Sequence, residues 1–514
     1  MMKPLTTLSV NKVIWLTTLL AGLVAWRVMF IQHGWINDDS TLYFEMAKRF
    51  SIGQWQQGWE LFTWPFYPFL IAMLHKVTGI DLHLSAQVLA VVFYGLTAWS
   101  LSKLIQLAGG NQLTIICGNL LLISSLYITG DVLAMLLRDQ GFWAFFLTSL
   151  VFFIRFMRHH HWADAVWWQL SIIVATLFRI EAFAYAVLLP LVLLIHGHSW
   201  RISLMQFIKV NFIHLLLFTL ILIALIASHA FNMTHLGRLN EITGLFSADD
   251  GLSVKGMFQT QSEIFSQKVL GGYLEDYAKF GLFITLISIV VIKCFNVVGV
   301  VASVLMLCAR QHLFKLPQRD AQQVFIMAGA VAMLNASVII FRSFVLSSRY
   351  VIAIGFLVII FTAFYLSNLI ASQQRKSDLL SWQFMLLVVV ALLMGAGLIK
   401  NLASKSGDYH YEQQAVAWVK THAPANARIY YDSARLRDYA NVAWAGRADH
   451  LNSTELITSI RERSEQYDCL LIRAEVDELN KLAQIQSLTQ YVELKRFSNK
   501  VGNQVLVLCH PNLK

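Results

Sequence analysis

Long apolar segments separated by short polar ones make up most of residues 1–399. A membrane-spanning helix needs about 20 consecutive apolar residues, and segments of that length recur through this part of the chain. They predict eleven spanning helices, near residues 13–31, 84–107, 112–130, 141–157, 163–178, 182–196, 207–230, 280–309, 322–341, 350–370 and 380–399. The segment 280–309 is long enough for an interfacial helix followed by a span, and we count it once.

The pattern changes in the last part of the chain, where charge rises and the apolar runs shorten. Short strand-like runs occupy residues 428–432, 467–472, 491–497 and 504–509, and residues 412–422 have helical spacing. The sequence therefore predicts a small soluble α/β domain over residues 400–514, following a membrane domain over residues 1–399.

Composition agrees with a polytopic α-helical membrane protein. The chain of 514 residues is 57% hydrophobic and only 14% charged, which is too apolar for a soluble globular protein of this length. The net charge of +10 would suggest nucleic acid as a partner in a soluble protein. Here the basic residues lie between apolar segments, so they indicate topology, and no nucleic-acid partner is expected.

Basic residues also predict the orientation. They concentrate in every second loop, as cytoplasmic loops do; examples are Lys103, Arg155, Arg158, Arg201, Lys209, Lys315 and Arg319. With eleven spans, the N-terminus is cytoplasmic and the tail is outside, in the periplasm if the membrane is a bacterial inner membrane. The outer face then carries a loop at 32–83 with interfacial helices, a loop at 231–279 and the tail.

Two adjacent carboxylates, Asp38 and Asp39, follow the first apolar segment on this outer face. Asn37, Asp39 and Ser40 could each cap an interfacial helix over residues 40–52. A cap needs only one of these side chains, so capping leaves the second carboxylate unexplained. On such a helix Asp39 and Tyr43 lie on one face.

Further charged residues fall at outer helix ends. Arg138 and Asp139 precede one helix, Arg179 and Glu181 occupy a tight turn, and Arg349 and Tyr350 follow two serines. A snorkelling arginine, mutual pairing or an interfacial anchor could explain each site alone. Arginines gathered at one depth could instead surround a phosphate, whose oxygens match the planar guanidinium.

Other motifs narrow the chemistry. The sequence contains no Walker loop, GxGxxG, HExxH or GxSxG motif, so a soluble nucleotide substrate is not indicated. Of the five cysteines, Cys469 and Cys509 fall on predicted strands of the tail. Two reduced, buried cysteines are the favoured expectation, and a disulfide between them is the alternative.

The order of these motifs resembles the GT-C membrane glycosyltransferases, especially the group of protein O-mannosyltransferases and the lipid A aminoarabinose transferase. The shared features are the Asp-Asp element, the aromatic run Trp64-Pro65-Phe66-Tyr67-Pro68, Asp139, the turn 179–181, the run 348–350 and an outside C-terminal domain. The resemblance covers roughly residues 10–400, and the tail matches only in placement. It implies a GT-C fold.

The resemblance also implies an activity: transfer of a hexose or pentose from a polyprenyl-phosphate donor, usually with inversion, to a protein, lipid or polysaccharide acceptor of the cell envelope.

The resemblance implies the site residues as well. In the family the catalytic aspartate precedes a small residue of the following helix, and counting back from Ala47 places it at Asp39. Asp38 is a rival, because the pair is Asp-Asp here rather than Asp-Glu. Asp139 matches the second acidic position. The candidates for the donor phosphate are Arg138, Arg179 and Arg349, with Tyr43, Glu181 and Tyr350 as further site residues. Some relatives use a divalent metal and others do not, so no metal is assigned.

Two other functions fit the composition. An O-antigen ligase or polymerase also uses polyprenyl donors, but it typically lacks an appended α/β domain. A transporter or flippase of lipid-linked saccharides would place its charged residues near the bilayer midplane between related halves. The charged residues here lie at one edge, which favours the glycosyltransferase.

Overall fold

The computed structural model describes residues 8–32, 34–196, 199–227, 253–309, 315–376, 381–404, 410–424, 426–442, 458, 467–476 and 491–511. Part of the predicted outer loop 231–279, residues 231–252, lies outside the described residues, as do residues 228–230 of the predicted span 207–230.

Helices form most of the described chain up to residue 402. They are α1 (Val10–Phe30), α2 (Asp38–Ser51), α3 (Trp55–Leu61), α4 (Phe66–Thr78), α5 (Leu82–Leu107), α6 (Gln112–Ser124), α7 (Asp139–His159), α8 (Trp162–Phe178), α9 (Ala182–Leu188), α10 (Val192–His196), α11 (Trp200–Ala227), α12 (Val254–Lys268), α13 (Ala278–Cys308), α14 (Arg319–Ser343), α15 (Ile352–Lys376) and α16 (Trp382–Leu402). A π-helical segment (Leu126–Val132) and 3-10 segments (Leu133–Met135, Leu189–Leu191, Gly272–Tyr277, Ser348–Val351) lie between them.

Within the described residues, seven helices are long and apolar enough to cross a membrane, or eight if one bent pair forms a single span. The chain is thus an integral membrane protein, but the count of eleven spans is not confirmed. Two of the predicted spans are interrupted in the structure. The span 182–196 is divided by the 3-10 turn around Pro190, and the span 112–130 bends by 45° after α6.

The bend after α6 is held by the last membrane helix. The side-chain amide of Asn401 donates hydrogen bonds to the carbonyls of Ile123 (3.0 Å) and Ser125 (3.1 Å). Gly397 allows the helices to approach, because a Cβ there would lie 2.4 Å from the carbonyl oxygen of Ser124. Apolar surroundings cannot satisfy freed carbonyls, so these hydrogen bonds stabilise a break that lacks proline.

The segment 280–309, which was predicted as one span, forms one helix, α13, with a kink. Gly299 has φ +74° and ψ 167°, a conformation that favours glycine. The interfacial helix followed by a span that the sequence allowed is therefore one helix with a kink at Gly299.

The described chain divides into two compact units. The first comprises Met1–Trp26, Thr63–Leu70 and Ala86–Asn401, and the second comprises Arg27–Phe62, Ile71–Ser85 and Leu402–Lys514. The second unit thus combines most of the predicted loop 32–83 with the tail.

An aromatic cluster in the first unit fixes the end of α8. The buried ring of Phe178 lies 5.0 Å from the ring of Phe66 and 5.2 Å from that of Phe93, both edge to face. Gly141 on α7 leaves room for this ring, since a Cβ there would lie 2.2 Å from it. Such edge-to-face packing fixes ring orientation. The backbone of Arg179, the next residue, is therefore held firmly.

The tail forms an α/β domain within the second unit. Its elements are α17 (Tyr411–His422), β1 (Ile429–Tyr431), α18 (Ala434–Ala440), β2 (Cys469–Ala474), β3 (Val492–Ser498) and β4 (Gln504–Cys509). The sheet order is β1-β2-β4-β3, with β1 parallel to β2 and the other pairs antiparallel. Both faces of the sheet are covered, one of them by α17. This confirms the small C-terminal sheet.

The expectation that Cys469 and Cys509 are reduced is wrong, because the structure contains a disulfide between them. Strands β2 and β4 are antiparallel neighbours, and the register places the two cysteines directly opposite each other, with Cα atoms 4.1 Å apart. Opposed Cβ atoms on one sheet face lie close enough for a bond. The sequence predicted both strands but not their pairing.

Replacing both Cys469 and Cys509 by serine is expected to destabilise the tail domain. The bond closes a loop with a sequence separation of 40 residues; chain entropy for such a loop corresponds to about 4 kcal/mol. Pulse proteolysis of the full chain in detergent, with and without reductant, measures this loss.

Thiol counting provides the control. Alkylation without reductant should label only Cys117, Cys294 and Cys308 after unfolding, and all five cysteines after reduction. Five labelled thiols in the non-reduced protein would contradict the disulfide.

Candidate functional site

Asp139 lies at the start of α7 and is the centre of a charged cluster in the first unit. Its side chain is buried, and Arg179 donates a hydrogen bond to its Oδ1. Nη1 of Arg349 lies 3.9 Å from its Oδ2. Asp139, Arg179, Glu181 and Arg349 are called the Asp139 cluster below. The structure thus brings together four of the residues that the sequence singled out.

Arg179 is held from three sides. Its Nη2 and Nε donate to the two carboxylate oxygens of Glu181 at 3.0 and 3.3 Å, while another nitrogen binds Asp139. The ring of Tyr350 lies 4.5 Å from the guanidinium carbon. The side chain is only 5% exposed. Burial of one arginine between two carboxylates and an aromatic ring fixes its orientation.

Arg349 is the more accessible arginine of this cluster, with 25% of its side chain exposed. It is the second residue of the 3-10 segment Ser348–Val351, whose N-cap is Ser347: the Arg349 N–H donates to Ser347 Oγ at 3.4 Å. Arg138 lies at the start of α7 and acts electrostatically on Glu181. The partly exposed guanidinium of Arg349 is therefore the group here that is best placed to bind an anion.

Helix α2 lies in the second unit and begins with a capped first turn. Asn37 is the N-cap, and its side chain accepts a hydrogen bond from the Asp39 N–H at 3.0 Å. Asp38 and Asp39 occupy the first turn, where carboxylates interact favourably with the helix dipole. Tyr43 is buried one turn later, with its ring 6.3 Å from that of Phe62. Capping is therefore the role of Asn37 and not of the two aspartates.

Asp38 is bound by two arginines of the tail domain. Nε of Arg435 on α18 lies 3.1 Å from its Oδ1, and Nη1 of Arg473 on β2 donates to Oδ1 and Oδ2 at 3.3 and 3.4 Å. Glu412 on α17 is almost fully buried and accepts from Nη2 of Arg435 at 2.7 Å. These four residues are called the Asp38 cluster.

The charge states in the Asp38 cluster follow from its burial. Burial alone would lower the pKa of Arg473, but Asp38 and Glu412 raise it above the ordinary arginine value. Burial, together with Glu412, raises the pKa of Tyr411, whose hydroxyl donates to Glu412 at 3.0 Å. The arginine remains charged and the tyrosine remains a donor throughout the physiological pH range.

The sequence did not single out Arg435, Arg473 or Glu412. These three residues lie in the tail, which was matched to other proteins only by placement. A possible signal was the presence of two arginines beside predicted apolar strand and helix positions. Such a pattern does not by itself identify a partner in a distant loop.

A metal site is not evident. Among the residues that the structure describes, no three His, Cys, Asp or Glu side chains form a group that could hold a metal ion. The carboxylates of Asp38 and Asp139 are instead paired with arginines.

Of the comparisons with known proteins, only the one with solved structures found matches, and these matches inform on the fold. No family model matches the sequence, and no curated protein does. The crystal structure of ArnT from Cupriavidus metallidurans bound to undecaprenyl phosphate matches 95% of this chain and 97% of its own, with a TM-score of 0.51 and 12% sequence identity. The apo structure of that protein matches the same shares, with a TM-score of 0.49 and 13% identity. ArnT, the lipid A aminoarabinose transferase, is a GT-C glycosyltransferase. The chain therefore has the GT-C fold that its sequence motifs indicated.

Proposed function

We propose that the protein is an integral-membrane glycosyltransferase that moves a sugar from a polyprenyl-phosphate donor to an acceptor at the outer face of the membrane. The observation that carries this proposal is the match along 95% of the chain to a structure solved with undecaprenyl phosphate. The Asp139 cluster supports it independently, since it contains a partly exposed arginine, Arg349, whose guanidinium matches the oxygens of a phosphate.

The transfer requires one proton acceptor and one stabilised leaving group. An acceptor hydroxyl or amine attacks the anomeric carbon as its proton passes to a carboxylate. The bond between that carbon and the phosphate oxygen breaks, and polyprenyl phosphate leaves with the electron pair. Attack opposite the phosphate inverts the anomeric centre.

We assign the base to Asp39. Asp39 is the position that the family order indicates. Asp38 is assigned a positioning role, because both of its oxygens are engaged by arginines of the tail and a carboxylate whose lone pairs already accept hydrogen bonds is a poor base. Asp139 is assigned a positioning role for the same reason as Asp38, because it is buried against Arg179.

The arginines are assigned the binding of the donor phosphate and the stabilisation of its charge. Arg349 is partly exposed and is assigned the direct contact with the donor phosphate. Arg179 is enclosed by carboxylates and Tyr350, so it is assigned the fixed positive field that stabilises charge developing on the phosphate. Arg138 adds to that field.

We place the tail on the outer face, in the bacterial periplasm. The bias of basic residues toward alternate loops supports this orientation. The disulfide between Cys469 and Cys509 also supports it, since such bonds persist in oxidising compartments and are rare in the cytosol.

A transfer assay tests the proposal. The full chain in lipid nanodiscs is incubated with radiolabelled undecaprenyl-phosphate pentose or hexose and a cell-envelope fraction. The label is expected to become covalently attached to an envelope acceptor, in amounts that grow with time and protein. The Arg349→Gln variant is expected to need more donor for the same rate, because its phosphate contact is weakened.

Two outcomes would contradict the proposal. In proteoliposomes, movement of the labelled lipid across the bilayer without covalent transfer would indicate a flippase. Attachment of whole lipid-linked chains, with no transfer of single sugars, would indicate a ligase. The Arg496→Gln variant, which alters an exposed pair with Glu493 and an exposed hydrogen bond to Gln504, is the matched control and should behave as wild type.

A further inference from the structure

The two arginines of the Asp38 cluster come from different elements of the tail and meet at one carboxylate. Arg435 is on α18 and Arg473 is on β2, while Asp38 begins α2 in the first outer loop. The sequence separation of Asp38 and Arg473 is 435 residues. This contact is therefore long-range, and all four members of the cluster lie in the second unit.

Both arginines are oriented from inside the tail domain. Glu412 accepts from Arg435 at 2.7 Å and lies 3.9 Å from Nη1 of Arg473. Asp432 accepts a hydrogen bond from the backbone N–H of Arg473 at 2.7 Å. The arginine side chains are only 12% and 11% exposed. Exposed ion pairs contribute little, but buried and shared ones impose a geometry.

Two further contacts join the same segments. The backbone N–H of Ile36 donates to the hydroxyl of Tyr439 at 3.3 Å, and Lys48 reaches Asn441 at 3.4 Å. The segment from Ile36 to Lys48 is thus contacted by α18 before, within and after the first turn of α2. Such repeated contact restrains both the position and the direction of that helix.

We propose that Arg435 and Arg473 are positioning residues for the transfer reaction, which fix Asp38 and through it the neighbouring Asp39. This role rests on the proposed function. The first turn of α2 contains both aspartates, so displacement of Asp38 moves Asp39 with it. Because a misplacement of about 1 Å can cost about 100-fold in rate, the tail contributes to catalysis without touching the substrate.

The test combines kinetics with hydrogen exchange on the full chain in nanodiscs. The variant Arg435→Gln/Arg473→Gln is expected to lower kcat about 100-fold while KM for undecaprenyl-phosphate pentose changes less than about twofold. Exchange of amides 39–44 should accelerate by at least about tenfold, since charged hydrogen bonds contribute about 1.5–3 kcal/mol each. Arg435→Lys/Arg473→Lys should recover part of kcat, because it retains the charges.

Non-additivity separates positioning from general damage. Adding Asp38→Asn to the double glutamine variant should cause no further loss of kcat, because the arginines act through Asp38. Arg496→Gln on β3 is the control in the same domain and should change neither measurement.

The outcomes distinguish this inference from the proposed function. Faster exchange with unchanged kcat, or unchanged exchange with reduced kcat, overturns the positioning role while the glycosyltransferase activity stands. A wild-type protein that shows no transfer to any envelope acceptor overturns the proposed function and the positioning role together.

Discussion

Replacing Asp39 by asparagine is expected to lower kcat for sugar transfer by about 10²–10⁴-fold, the contribution of a positioned general base. Asparagine has nearly the same shape as aspartate but cannot take a proton. The capping hydrogen bond at this residue uses its backbone N–H and Asn37, so the start of α2 should remain intact. Initial rates with saturating undecaprenyl-phosphate sugar measure the effect, and donor KM should change little.

Two neighbouring variants serve as comparisons. Asp38→Asn should reduce kcat by no more than about 100-fold, because its effect is positional. Glu45→Gln on the same helix weakens a partly exposed pair with Arg49, and it should leave the rate unchanged. A greater loss in Asp38→Asn than in Asp39→Asn would reverse the assignment of the base.

Replacing Arg179 by methionine is expected to destabilise the membrane domain by about 3–5 kcal/mol, the cost of removing one partner from a buried ion pair. Asp139 and Glu181 would both lose the guanidinium that binds them. Transfer should also fall, because the positive field at the phosphate is reduced. Equilibrium unfolding in mixed detergent micelles gives the free energy of unfolding.

Neutralising the partners tests the cause. In the background Asp139→Asn/Glu181→Gln, Arg179→Met should cost much less, because no buried carboxylate then lacks its cation. Arg496→Met removes an exposed pair, and its cost should stay below about 1 kcal/mol. If Arg179→Met costs no more than Arg496→Met, the Asp139 cluster does not stabilise the fold.

The elements that were predicted well are those determined by residues close together in the sequence. The strands and the helix of the tail were placed within a few residues, because apolar alternation and helical spacing are local patterns. The helix after the Asp pair was also expected, and it begins two residues before the predicted start. The charged residues of the Asp139 cluster were identified individually, and the structure brings four of them into contact.

Features that depend on distant residues were not predicted. The pairing of β2 with β4, and so the disulfide, requires the strand order, which alternation does not contain. The bend after α6 has no proline to signal it and is stabilised by Asn401 instead. The Asp38 cluster joins three regions of sequence, and each of its arginines alone would look like an ordinary surface charge.

The hydrogen bonds from Asn401 constrain how the protein can be made. The carbonyl of Ile123 accepts from a side chain 278 residues later in the chain. A membrane protein is synthesised from its N-terminus, so this hydrogen bond cannot form until the last membrane helix has been inserted. The bend, which leads into the segment before Asp139, therefore gains these hydrogen bonds only after α16 has been inserted, and a chain truncated before residue 401 would lack them.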